Sequence, residues 1–433
     1  MTLNLDSDQI RVLNWRVNEG DIGTIIGPPG CGKTTTGSML AVKLISEQLS
    51  NKILLVAYTN AAVNKFAREI VSILGNRLAS SLCVRTGNFA GHEDSIGIQF
   101  SNNAETIRSK KIVLCTILSL KKLTYNMRFD NLIIDEGGIA KLEHLLTPFM
   151  YGINQLSVSL LANNISYKIN NIIELASNCG ITATVIGDPK QSRPIGLTNY
   201  ENSAIEFMLK HSKYDTLFTT HRLPNPLSFL VDDFARYGGL KSAPEVKNNR
   251  LSLKYNASLQ FKEILNPDNV ITWVDINGKE RPLGPSSWSN EIEASACVKI
   301  SEELYKIISS QSIAIVTRFS EQKRIIKNYL RKLGISNIRV DTTTGALGTQ
   351  ADVVIVSLVR NNNHRIVGAA GNLQDLNVAI SRSKKKLIII GNYEMMANGF
   401  SSPTNNYKSP SRRLAQLVNR YGKIIDAPYI LKN

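Results

Sequence analysis

Residues 27–34 read Gly27-Pro28-Pro29-Gly30-Cys31-Gly32-Lys33-Thr34, which fits the spacing G-x-x-x-x-G-K-[ST] of a phosphate-binding turn. Glycines there let backbone N–H groups close around phosphate oxygens, and the start of a following helix adds a favourable dipole. Lys33 would neutralise the terminal phosphates and the Thr34 hydroxyl would ligate Mg2+, with Thr35 just inside the helix as a further nucleotide contact. Hydrolysis also needs a second metal ligand and a group that activates water. Leu132-Ile133-Ile134-Asp135-Glu136 offers both at the end of an apolar run: Asp135 to hold Mg2+, and Glu136 to position and deprotonate water for in-line attack. An ordinary Gly/Pro turn and an acidic strand end are the plain alternatives for either motif alone. Together they favour a nucleotide site.

Such a turn works only between a buried strand and a helix, and the sequence supplies both. Short β-branched runs alternate with amphipathic stretches, the pattern of parallel sheets with crossover helices. Strands are predicted at Thr24–Ile26, Ile53–Tyr58, Ile112–Thr116, Leu132–Asp135 and Thr184–Gly187, with a helix from Lys33 to about Gln48. A second set is predicted at Ile313–Thr317, Ile338–Val340, Val353–Leu358 and Leu387–Gly391, with helices at Glu321–Leu333 and Leu373–Ser381. The punctuation of residues 240–290, with Pro244, Pro267, Pro282 and Pro285, reads as an elaboration of the second unit. The largely uncharged stretch 139–180 reads as an insertion or a pair of covering helices.

The chain has 433 residues, 43% of them apolar, enough for two or more cored domains. It carries 51 Lys and Arg against 35 Asp and Glu, a net charge of +16 that favours a polyanionic partner. Residues 1–100 are nearly neutral, with nine basic and eight acidic side chains, whereas residues 318–433 have nineteen and six. Five scattered cysteines without a C-x-x-C pair indicate neither a disulfide framework nor a structural zinc. No apolar run approaches 18 residues, so no membrane association is expected. The expected setting is soluble and intracellular, in the cytoplasm, with the nucleus or a viral replication complex also open.

Further motifs resemble, in order, those of superfamily 1 helicases, in the branch of the nonsense-mediated-decay RNA helicase, with nidovirus helicases as cousins. Leu5-Asp6-Ser7-Asp8-Gln9 resembles the family's adenine-reading segment, with Gln9 as the base contact. Residues 187–194 resemble its third motif, in which Gln191 would sense the terminal phosphate and Arg193 would contact nucleic acid. Thr220-His221-Arg222-Leu223-Pro224 and Asn377-Val378-Ala379-Ile380-Ser381-Arg382 resemble the segments that bring two arginine fingers, Arg222 and Arg382. The resemblance implies an α/β fold of two tandem RecA-like P-loop domains with parallel sheets and an ATP site in the cleft between them. Domain 1 is expected at 1–218, with insertions near 65–110 and 139–180, and domain 2 at 219–433. ATP and Mg2+ are the implied cofactors. Two arginines from the other domain would couple hydrolysis to closure.

Nucleic-acid contacts are expected at Thr59, Asn60, Thr116, Thr317, Arg318, Thr343 and Ser357, as sugar–phosphate contacts that carry no sequence information. The basic helix Glu321–Leu333 is either a further nucleic-acid face or a solvated one. Departures accompany the matches. Leu347 and Gln350 stand where relatives have glutamine and glutamate, which leaves Gln350's nucleotide contact open. His221 replaces a frequent adenine-stacking tyrosine, Arg318 a frequent proline, and Gly137-Gly138 small residues led by alanine. The expected substrate is single-stranded or tailed duplex RNA or DNA, traversed 5′ to 3′. Because the chain begins close to the adenine segment, targeting or replication and processing proteins are expected as partners. The rival readings are a translocase that remodels ribonucleoprotein without unwinding, a kinase or GTPase on the same phosphate loop, and a non-catalytic basic binding protein.

Overall fold

The structure, a computed structural model, describes residues 4–88, 96–123, 127–151, 180–191, 194, 203–283, 287–308 and 312–427. The chain divides into two compact units, Met1–Pro189 with Arg193–Phe218, and Lys190–Ser192 with Thr219–Asn433.

In the first unit, strands β1 (Ile22–Ile26), β2 (Ile53–Ala57), β3 (Cys83–Arg85), β4 (Ile112–Thr116), β5 (Asn131–Ile134), β6 (Thr182–Gly187) and β7 (Lys213–Thr216) form one sheet in the order β3-β4-β2-β5-β6-β1-β7. Every pairing in it is parallel. The inner strands β2 and β4 are buried at every residue, as continuous Ile/Leu/Val runs covered on both faces require. The polar edge strand β7 was not predicted, since Lys213-Tyr214-Asp215-Thr216 has no apolar run to mark it. Of the stretch 139–180, Leu142–Met150 is a helix, and residues 152–179 lie outside the described residues.

The second unit begins with the short pair β8 (Thr219–Thr220) and β9 (Lys241–Ser242). Its main sheet contains β10 (Ile271–Asp275), β13 (Ile313–Thr317), β14 (Arg339–Thr342), β15 (Ala351–Ser357), β16 (Ser383–Gly391) and β19 (Lys423–Asp426), in the order β14-β13-β15-β16-β10-β19 and again all parallel. Between these lie two small hairpins, β11 (Arg281–Pro282) with β12 (Trp288–Ser289), and β17 (Phe400–Ser402) with β18 (Asn405–Lys408). The stretch 240–290 is therefore more than an elaboration. It supplies β10, an inner strand whose Trp273 is fully buried and donates to the Gly391 carbonyl at 2.9 Å. Its proline-rich flanks hid a five-residue strand.

Candidate nucleotide and nucleic-acid sites

In the first unit, β1 delivers the chain into the phosphate turn and helix Lys33–Ser46 leaves it. Gly30 and Gly32 have φ of 79° and 72°, in the left-handed region that glycine enters without penalty. A Cβ on Gly32 would also lie 2.1 Å from Nε2 of Gln9 and would push that side chain away from the turn. The Lys33 ammonium folds over the turn and donates to the carbonyls of Gly27 and Pro28. Thr34 is buried at the first turn of the helix, Thr35 is half-buried, and Pro28, Pro29 and Cys31 are buried in the turn itself. Gln9 caps its own helix: its Oε1 accepts from the Asp6 N–H at 3.0 Å while Asp6 Oδ1 accepts from the Gln9 N–H at 2.9 Å. Its Nε2 meanwhile lies against the turn.

Asp135 and Glu136 follow β5, two strands from β1 across β6. Asp135 is buried, and burial raises its pKa, opposed by the Glu136 N–H and by the charges of Lys33 and Lys65. Glu136 has a φ of 59° and accepts from the Thr59 N–H at 2.9 Å and the Thr59 hydroxyl at 3.2 Å. Burial, then the neighbouring Asp135, push its carboxyl up to about 7, against the hydrogen bonds from Thr59 and Tyr58. These groups suit Mg2+: a hydroxyl and a buried, destabilised carboxylate near a lysine leave several positions for phosphate and water, as that ion prefers. Among the described residues no cluster of three His, Cys, Asp or Glu side chains forms an all-protein cage.

The remaining first-unit predictions are tied up within the protein. Thr59, expected at nucleic acid, caps helix Asn60–Leu74 and binds Glu136. Asn60 accepts from the buried Arg85 at 2.6 Å, and the Thr116 hydroxyl pairs with Ser119 at 2.7 Å. Arg193 lies outside the described residues.

The second unit gathers two groups of predicted residues. Arg222 donates through Nε to Gln350 at 3.1 Å and through Nη1 to the Ser381 carbonyl at 3.1 Å. Arg382 donates to Gln191 at 2.6 Å and to the Val378 carbonyl at 3.1 Å. Beside Arg222, His221 Nδ1 lies 2.6 Å from Glu245, which holds that carboxyl below its usual range. The second group lines one pocket at the strand ends: Thr317, Arg318, Thr343 and Ser357, with Asp375. Asp375 pairs with Arg318 at 2.7 Å and accepts from Thr343 at 3.1 Å. The Ser357 hydroxyl points inward, donating to Glu293 at 2.8 Å.

Two AAA domain models match the chain, one over residues 4–102 and one over residues 200–394. The ATP-dependent helicase NAM7 of Saccharomyces cerevisiae is 22% identical over 91% of this chain. The DNA replication ATP-dependent helicase/nuclease JHS1 of Arabidopsis thaliana is 26% identical over 91%, and the regulator of nonsense transcripts 1 homolog of Neurospora crassa 21% identical over 90%. Along about nine-tenths of its length the chain is thus similar to ATP-dependent helicases of superfamily 1, in the branch of the nonsense-mediated-decay helicase. It spans 42%, 29% and 37% of the length of those three relatives. Among solved structures, the Arterivirus nonstructural protein 10 helicase is 13% identical, covers 88% of this chain and 61% of its own, and has a TM-score of 0.44.

The departures of this chain from the helicase motifs now have physical settings. A Cβ on Gly138 would lie 2.7 Å from the Asp188 carbonyl oxygen, so the backbone after Glu136 runs too close to the end of β6 for alanine. Gln350 serves as an acceptor for Arg222. Arg318, in place of proline, has Asp375 as its partner. Sequence reasoning missed Asp375, Glu293 and the role of Thr59, because each is defined by a partner more than 30 positions away.

Proposed function

We propose that this helicase hydrolyses ATP to move 5′ to 3′ along single-stranded nucleic acid and to separate the strands of tailed RNA or DNA duplexes. The observation that carries the reading is the joint presence, in one unit, of the Lys33 turn and the Asp135–Glu136 pair, with Asp135 feeling the charge of Lys33. The ordered arginine motifs of the second unit support it.

In this reading residues 1–218 hold the ATPase machinery, and residues 219–433 the arginines and most strand contacts. The N–H groups of the turn and Lys33 bind the phosphates. Thr34 and Asp135 would hold Mg2+, which when bound screens phosphate charge and orients the terminal phosphoryl group. Glu136, held by Thr59, takes a proton from the attacking water. Gln191 reports on the terminal phosphate, while Arg222 and Arg382 offset the charge that spreads over its oxygens during transfer. Gln9 and His221 contact the base. Strand-end amides and hydroxyls grip the sugar–phosphate backbone, a contact that RNA and DNA share.

ATPase turnover measured with poly-U and with poly-dT tests the proposal. Stimulation by at least one of them, abolished by Lys33→Ala, is the expected result. Lys33-dependent turnover indifferent to both polymers would instead favour a phosphate-loop enzyme of the kinase or GTPase kind.

A further inference from the structure

Beneath the strand-end pocket of the second unit lies a polar network that the reaction outlined above does not use. Asn290, which caps helix Glu291–Ile307, Glu293 in its first turn, and Gln322 on helix Ser320–Lys332 are all fully buried. Glu293 Oε2 accepts from the Ser357 hydroxyl at 2.8 Å and from the Val359 N–H at 2.8 Å, and Oε1 accepts from Asn290 at 3.2 Å. Gln322 Nε2 donates to Ser357 Oγ at 3.0 Å, and its Oε1 accepts from the Asn290 N–H at 2.8 Å. Asn290 also donates to the Val359 carbonyl at 3.1 Å, so both backbone polar groups of Val359 are held by this one cluster.

Val359 needs holding. Its φ is 74°, a conformation that a β-branched residue keeps only when its surroundings impose it. It lies just past β15, and the residues before it, Val356, Ser357 and Leu358, line the pocket with Thr317, Arg318, Thr343 and Asp375. Burial pushes the Glu293 carboxyl up to about 8, against hydrogen bonds from Val359, Ser357 and Leu358. An apolar side chain of similar volume would pack such a core at lower cost. A buried carboxyl tied to a strained strand end therefore asks for a reason beyond packing, and the pocket directly above supplies one.

We propose that Glu293 is a positioning residue for the strand-end pocket: through Ser357 and Val359 it fixes the floor of the pocket in the shape that grips a nucleic-acid strand. Glu293 itself touches no ligand. The inference rests on the nucleic-acid reading given above and adds to it the origin of the pocket's shape.

The test is ATPase activity of the full chain titrated with poly-U and poly-dT, which separates the half-stimulating strand concentration from turnover at saturating strand. Glu293→Ala is expected to raise the half-stimulating concentration about tenfold, with saturating turnover within about twofold of the parent. Glu293→Gln, which keeps an acceptor for Ser357 and Val359, is expected to recover most of that loss. An unchanged half-stimulating concentration in Glu293→Ala would overturn the proposal. So would reduced saturating turnover at an unchanged concentration, the mark of general loosening. Where circular dichroism shows that Glu293→Ala does not fold, Ser357→Ala decides, since it removes only the hydroxyl link. A rise of about threefold supports the proposal and an unchanged value overturns it. A parent chain indifferent to every strand would instead remove the nucleic-acid reading itself.

Discussion

The two units share a parallel sheet with crossover helices but manage charge in opposite ways. In the first, two carboxyls stand side by side after β5, and burial raises the pKa of both. In the second, Arg222 and Arg382 rest on the neutral amide oxygens of Gln350 and Gln191 and on backbone carbonyls. Neutral acceptors orient a guanidinium, whereas adjacent, desolvated carboxyls invite a cation and favour a proton acceptor that works near neutral pH. The same architecture thus carries a pair of buried carboxyls in one unit and a pair of oriented arginines in the other.

Several measurements test that contrast directly. On the cationic side, Arg382→Ala should lower nucleic-acid-stimulated kcat by about 10³-fold or more, as loss of an arginine finger does. A drop below tenfold in steady-state turnover would reduce Arg382 to a structural bond with Gln191. On the anionic side, Glu136→Gln should cost about 10²–10⁴ in kcat while ATP binding persists, read as nucleotide fluorescence titration beside turnover. The pH profile follows from the raised carboxyl. As the proposed base, Glu136 must be ionised to act, and burial pushes its carboxyl up to about 7, so turnover should fall about tenfold per pH unit below that value and level off above it. A flat profile from pH 5.5 to 8 would show that another group takes the proton. The linked stability effect has the reverse sense: the folded state holds this proton more tightly than the unfolded chain, so the Glu136 contribution to stability declines as pH rises from its ordinary value of 4.5 to about 7. Gly138→Ala, forced against the Asp188 carbonyl, should destabilise by about 1–3 kcal/mol, visible in chemical denaturation; unchanged stability would mean that this backbone shifts freely.

The smallest expected effect concerns the charge surplus. Residues 318–433 carry most of the net charge, and several of those charges are paired or buried in the structure. Lys323 pairs with Asp341, Arg324 with Glu321 and Lys385 with Asp352. Lys386 is buried, donates to the Asn266 carbonyl at 3.0 Å, and is lowered to about 7 by burial. Each true phosphate contact on a single strand contributes about −0.7 to the slope of log K against log salt. Charge reversal at Lys327, Arg331 and Lys332 should therefore flatten the slope more than reversal at Lys323 and Arg324, and equal slopes in all variants would make the whole helix a solvated face.

Local features were legible in the sequence, and remote partnerships were not. The phosphate turn, its strand and helix, and the Asp135–Glu136 strand end are each contained within about ten residues, so spacing alone marked them. Thr59 was read as a strand-end hydroxyl facing nucleic acid, because nothing local tells it that Glu136, 77 positions later, will accept its N–H and hydroxyl. The partner of Ser357 was hidden for a related reason. Alternation along β15 decides which face its hydroxyl takes, and the buried Glu293 captures it on the inner one. β10 was hidden by flanking prolines, although Ile271-Thr272-Trp273-Val274 is as apolar as its neighbours.

Strand displacement is the measurement that reaches the proposed activity itself: purified chain, ATP and Mg2+, with RNA and DNA duplexes carrying a 5′ or a 3′ single-stranded tail. Unwinding of the 5′-tailed duplex, little of the 3′-tailed one, and none with Lys33→Ala is the predicted result. Strand-stimulated ATP hydrolysis without displacement of either duplex would contradict it, and would leave a translocase that moves along nucleic acid without opening it.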